Sequence, residues 1–226
     1  MRRRCEQPAK HGIDSGVARR LRQNRMDPLE SPLHRLQLPF ALRSAGWFLF
    51  ALAAGALFCS IAAAQSDQAR EYDVKAAFLF NFTKFVEWPE GSFSDPAAPI
   101  VIGIIGDDPF GDSLMRIVAG QTVQGRSIVI RKESFGGDLR RCHVLFISAS
   151  ERQHSAQILA SLQDASVLTV SDIDGFAEAG GAMQFVTEEN RVRFVVNLYA
   201  ARQSKLRVSA KLLALARVIH SAQAAR

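Results

Sequence analysis

Pro99-Ile100-Val101-Ile102-Gly103-Ile104-Ile105-Gly106 decides the fold. The run is short, almost wholly apolar and rich in β-branched residues. Turn residues Gly106-Asp107-Asp108-Pro109 close it. Such a run reads as a strand buried on both faces. A strand covered on both faces needs helices above and below it, which places the chain in an α/β layer structure.

Upstream, Glu71 to Trp88 predicts a helix that Pro89 ends. Phe78, Phe82 and Phe85 share one stripe with Leu79 and Val86 beside it, and Lys75, Lys84 and Glu87 fall on the other side. Four Phe and one Trp exceed what a surface helix needs, so this helix is expected to lie buried across the sheet. Downstream, Asp108 with Pro109 predicts a capped helix from Asp108 to Ala119. Arg126–Arg131, His143–Ser148 and Ser166–Val170 read as strands, with a helix over Ala149–Gln163 that turns Ile158, Leu159 and Leu162 inward. A short helix is expected over Phe176–Gly181, closed by glycines. Strands Ala182–Thr187 and Val192–Asn197 form a hairpin through Glu188–Arg191. Leu206, Ala210, Leu213, Ala214 and Arg217 have helical spacing, which predicts one long amphipathic helix over Ala200–Ala222. The expected fold is a single α/β domain. Its sheet is mainly parallel with an antiparallel C-terminal hairpin and helices on both faces.

Charge divides the 226-residue chain. Residues 1–64 hold 10 Lys+Arg and 4 Asp+Glu, while residues 65–226 hold 18 of each. The basic character therefore belongs to the first segment. A neutral remainder has no bulk attraction for nucleic acid, and nucleic-acid binding is not expected. Arg202, Lys205, Arg207 and Lys211 read as a solvated helix face. Ala45 to Ala64 carries no charge, follows Arg43, and ends in Ala62-Ala63-Ala64. This is the pattern of a secretory signal cut after Ala64. The same 20 residues are about long enough to stay as a membrane anchor. Residues 1–64 are read as a leader and 65–226 as the folded part, periplasmic after cleavage or anchored through 45–64. Met26 is an alternative start to Met1. Cys5 and Cys59 leave with the leader, so the exported part keeps Cys142 and has no intramolecular disulfide.

The search for chemistry returns little. His143, His154 and His220 are not spaced as metal ligands with each other or with Cys142. There is no Gly-x-Ser-x-Gly elbow. Gly103-x-x-Gly106 lacks the third glycine of a dinucleotide fingerprint, and two carboxylates stand where an anion would go. No catalytic, cofactor or metal site is expected. Ligands gather at the carboxyl edge of parallel sheets, so Asp107, Asp108, Asp172 and Asp174 are candidates for a polar ligand or cation. The same residues serve equally as caps and turn formers. Cys142 reads as a buried inert thiol or, alternatively, as a redox group.

Several segments together resemble the YfiR family. They are Val74-Lys75-Ala76-Ala77-Phe78, Lys84-Phe85-Val86-Glu87-Trp88-Pro89, Ile102 to Phe110, Cys142 to Ser148, Leu168 to Asp172, Phe176 to Ala182, Val192 to Asn197 and Leu212 to Ala216. Order and spacing match across residues 70–220. The resemblance implies a periplasmic α/β domain, often a homodimer, without enzymatic activity or cofactor. It implies a negative regulator that binds the periplasmic sensing domain of an inner-membrane diguanylate cyclase, which lowers cyclic di-GMP output and biofilm formation. An outer-membrane lipoprotein can sequester such a protein. Other members accompany sensor kinases or outer-membrane receptors, and a small-ligand-binding accessory role is the alternative reading. The chain departs from family members that carry several bridged cysteines, because Cys142 stands alone in its exported part.

Overall fold

The computed structural model describes residues 67–220. The leader, the apolar segment Ala45–Ala64, Cys5, Cys59 and the last six residues lie outside the described residues. Helix α1 spans 67–85 and passes directly into β1 (Val86–Glu87). The chain continues through β2 (Ile100–Ile105), α2 (Asp112–Val118), β3 (Thr122–Val123) and β4 (Arg126–Glu133). A 3-10 turn at Leu139–Arg141 leads to β5 (Val144–Ile147), and another at Ala149–Glu151 leads to α3 (Ser155–Ser161). Then come β6 (Leu168–Ser171), β7 (Met183–Glu188), β8 (Arg191–Asn197), α4 (Leu198–Gln203), β9 (Arg207–Val208), α5 (Ala210–Leu213) and β10 (Arg217–Ile219).

Eight strands form one sheet in the order β10-β8-β7-β6-β5-β2-β4-β3. Strands β4, β2, β5, β6 and β7 run parallel. The β7–β8 and β3–β4 pairs are antiparallel. All six residues of β2 are buried, as an apolar run without alternation requires. Their side chains divide between two cores. Ile100, Ile102 and Ile104 join Leu79, Phe82, Leu114 and Phe146 under α1 and α2. Val101 and Ile105 join Leu145, Ile147, Ile158 and Leu159 under α3. The α/β class, the mainly parallel sheet with its antiparallel hairpin, and helices on both faces are as expected.

Several local expectations are corrected. The long helix over Ala200–Ala222 does not form. Lys205 turns into the left-handed region at φ 58° after α4, and β9 pairs with β1. Ser209 caps α5, its Oγ accepting from Leu212 N at 3.3 Å. Strand β10 then runs parallel to β8, so the hairpin is not the edge of the sheet. Sheet and cap bonds here outweigh helix propensity, which is a weak prior. The helix over Ala149–Gln163 is shortened to α3 behind a 3-10 turn. Asp108 does not cap α2, because its Oδ1 accepts from Phe110 N at 3.0 Å in a local turn, and the helix starts behind Gly111. Phe176–Gly181 is a run of turns, not a helix. The hairpin turn is Glu189–Asn190 with φ 51° and 59°. Two positive φ values match the right-handed twist of the strands. Helix α1 stops three residues early, because the residues before Pro89 favour extended backbone.

Close packing explains the glycines that look like half a phosphate loop. A Cβ on Gly103 would stand 2.5 Å from Cys142 Sγ and 3.0 Å from Leu145 Cδ1. Gly106 has φ 87°, and a Cβ there would stand 2.4 Å from Ser150 Oγ. Gly103→Ala is expected to destabilise the fold by about 1–3 kcal/mol through overpacking. Urea unfolding should show a lower midpoint at unchanged slope; an unchanged midpoint would mean that the β2–β5 contact yields freely.

Candidate functional site

The strand order reverses at β2: the chain first builds β4 on one side and then β5 and β6 on the other. In such sheets the crevice outside the carboxyl ends at the reversal is the expected ligand site. Ser150 Oγ accepts from Asp107 N at 2.9 Å and lies against Gly106.

The four aspartates named from sequence have separate surroundings. Asp107 is exposed. Asp108 Oδ2 faces Lys132 Nζ at 3.7 Å. Asp174 Oδ2 faces Arg152 at 3.8 Å, with both side chains largely in solvent. Asp172 is more enclosed, its side chain 9% exposed against 14% for Asp108. Among the described residues no group of three or more His, Cys, Asp or Glu is placed to hold a metal.

Asp172 belongs to a polar cluster that joins β6 to α1. Lys75 Nζ donates to Asp172 Oδ2 at 2.7 Å and pairs with Glu71 Oε1 at 2.7 Å. Tyr72 OH donates to the same Oδ2 at 2.8 Å, and the ammonium lies 4.3 Å from the Tyr72 ring centroid. Thr187 Oγ1 on β7 donates to Glu71 at 3.2 Å. Asp172 Oδ1 is buried without a hydrogen-bond partner among the described residues. Burial, and then the bond to Asp172, push the Tyr72 hydroxyl well above its ordinary range, so it stays a donor at neutral pH. Lys75 is 4% exposed, which corrects the solvent face assigned to it from sequence. An ammonium held between two carboxylates is no free nucleophile, and the cluster acts as a pin.

A second fastening lies at the amino edge. His143 precedes β5, and its Nδ1 accepts from Val101 N at 3.0 Å. The proton therefore sits on Nε2, which donates to Ser92 O at 3.2 Å. Phe93 stacks on the imidazole at 4.3 Å, and Trp88 Nε1 donates to His143 O at 3.2 Å. Arg126 closes the loop by donating to Asp95 O and Ala98 O at 2.9 and 2.7 Å. Burial lowers the His143 pKa, in keeping with a neutral ring.

Cys142, next in space, is buried, and its thiol donates to Glu133 Oε1 at 3.6 Å. Burial and then the Glu133 charge push the thiol up to about 12. It stays protonated at neutral pH and is a poor nucleophile. Sequence reading noted His143 and Asp172 but missed their partners, since Lys75 and Ser92 lie 97 and 51 residues away. A lysine inside a strongly apolar helical stretch was the one available signal.

A family model described as YfiR/HmsC-like matches residues 72–217. A search of curated proteins finds no match. Among the described residues no helix is long and apolar enough to cross a membrane.

Lys75→Met leaves the Asp172 carboxylate, its side chain 9% exposed, without its cation and is expected to cost about 3–5 kcal/mol. Combining it with Asp172→Leu should recover a large part of that loss in chemical denaturation. Losses that simply add in the double variant would mean that the pair is not coupled. Because the folded His143 binds its proton at lower pH than the unfolded one, its contribution is complete above about pH 6.5 and is lost as the pH falls below that. Melting temperature should therefore drop between pH 7 and pH 5, and His143→Gln should reduce that drop.

Proposed function

Because the chain belongs to the YfiR/HmsC-like family, we propose that it is an exported, non-enzymatic regulator of cyclic di-GMP signalling. On this reading residues 65–226 work in the periplasm after the leader is cut at Ala64. They bind the periplasmic part of an inner-membrane diguanylate cyclase and restrain it. The observation that carries the reading is the family match over residues 72–217, nearly all of the described part. The geometry supports it secondarily. Lys75 and Cys142, the buried groups that could have reacted, are tied down.

Regulation of this kind needs no reacting group. The protein shifts the cyclase only by as much as its affinity differs between the inactive and active states. Each tenfold difference in affinity moves the balance by about 1.4 kcal/mol. Crosslinking in the native cells, followed by mass spectrometry, is expected to recover an inner-membrane protein with a periplasmic sensing domain and to find this protein beginning at Gln65. Deleting the gene should raise cyclic di-GMP. An intact leader, no signalling partner and unchanged cyclic di-GMP would overturn the reading.

A further inference from the structure

At the amino edge of the sheet, away from the pin at Asp172, lies a cavity of about 370 Å³. The turn 89–92, the segment 140–143 before β5, the loop before β6 and Lys205 line it. Its charge is one-sided: Arg140, Arg141 and Lys205 line it, and Glu90 is the one carboxylate among its lining residues. Lys205 makes no ion pair with any described residue. Arg140 spends one Nη2 bond on Gln163 O at 2.9 Å, which fixes the guanidinium and leaves further donors. Arg141 spends its Nε on Asp138 at 2.8 Å.

A second observation concerns Ser92, in the same lining. Its Oγ is buried and has no hydrogen-bond partner among the described residues. Its backbone is held on both sides, since Ser92 O accepts from His143 Nε2 and Ser92 N donates to Pro89 O at 3.2 Å. A buried hydroxyl without a partner is costly. Ser92 is a lining residue of the cavity, and a turn of its side chain would present this hydroxyl to an acceptor there.

We propose that this cavity binds the phosphate group of a small phosphomonoester. A phosphomonoester carries a charge of about −1.5 to −2 at neutral pH, which suits Arg140 and Lys205, neither of them ion-paired among the described residues, while Arg141 is already paired with Asp138. Arginine forks and a lysine ammonium are the donors that suit its oxygens, and the Ser92 hydroxyl supplies a neutral one. The volume falls in the range of small-molecule sites and exceeds the needs of inorganic phosphate. The site does not depend on which membrane protein the chain regulates.

The test is calorimetric titration of the purified protein at low ionic strength with phenyl phosphate, inorganic phosphate and phenol. Saturable binding is expected for phenyl phosphate, weaker binding for inorganic phosphate and none for phenol. Lys205→Asn should weaken phenyl phosphate roughly tenfold or more, as should Arg140→Gln. Ser92→Ala should weaken it less. Asparagine tolerates the left-handed backbone of position 205, so Lys205→Asn decides the matter if Arg140→Gln, having lost its bond to Gln163, fails to fold. No saturation up to roughly 10 mM, or equal affinity in Lys205→Asn, would overturn the proposal. Equal affinity for inorganic and phenyl phosphate would overturn the ester and assign the site to free phosphate.

Discussion

The fold depends on how α1 is fastened across the sheet. At the carboxyl edge Lys75 and Tyr72 close on Asp172, and at the amino edge Trp88 closes on the carbonyl of His143. Between these ends Ala76, Leu79, Phe82 and Val86 are fully or almost fully buried. The apolar face supplies attraction without direction, and the polar contacts at each end set the register. A buried ion pair is weak support for stability in itself, because desolvation opposes it. Its value here is positional: a slide of one turn along the helix would part Lys75 and Tyr72 from Asp172.

What was legible in the residues follows from the same division. Strands β2, β5 and β6 are buried on both faces, so they appear as plain apolar runs. The hairpin of β7 and β8 was legible because its turn residues interrupt two such runs. The C-terminal part was misread. Leu206, Ala210 and Leu213 have helical spacing, yet β9 exists only because β1 lies beside it, and β10 only because β8 offers an edge. The first partner is more than a hundred residues upstream and the second lies beyond α4, β9 and α5, and periodicity carries no record of them.

The polar clusters were legible only in half. Asp172 stood out as a carboxylate after a strand, and His143 as a histidine before one. Lys75 was assigned to solvent, because amphipathic reading gives every charge to the outer face. That rule fails where a helix end reaches the rim of a sheet and meets a loop carboxylate. Ser92 carries no signal at all, since a serine in a loop is ordinary, and its neighbours Arg140 and Lys205 meet it only through the fold.

The placement of α1 also bears on how the chain matures. This helix is made first among the described elements and secured last: Lys75 waits for a partner 97 residues later, and Tyr72 for the same carboxylate 100 residues later. Contacts of such sequence separation slow folding, because loop closure precedes any gain from them. Until β7 and β8 have assembled, Phe78 and Phe82 have no Phe185 or Phe194 to pack on. A growing chain therefore presents an aromatic helix before the sheet that covers it is complete. That surface is open to a holding chaperone or to a neighbouring nascent chain, and it vanishes in one late step when the sheet closes over it.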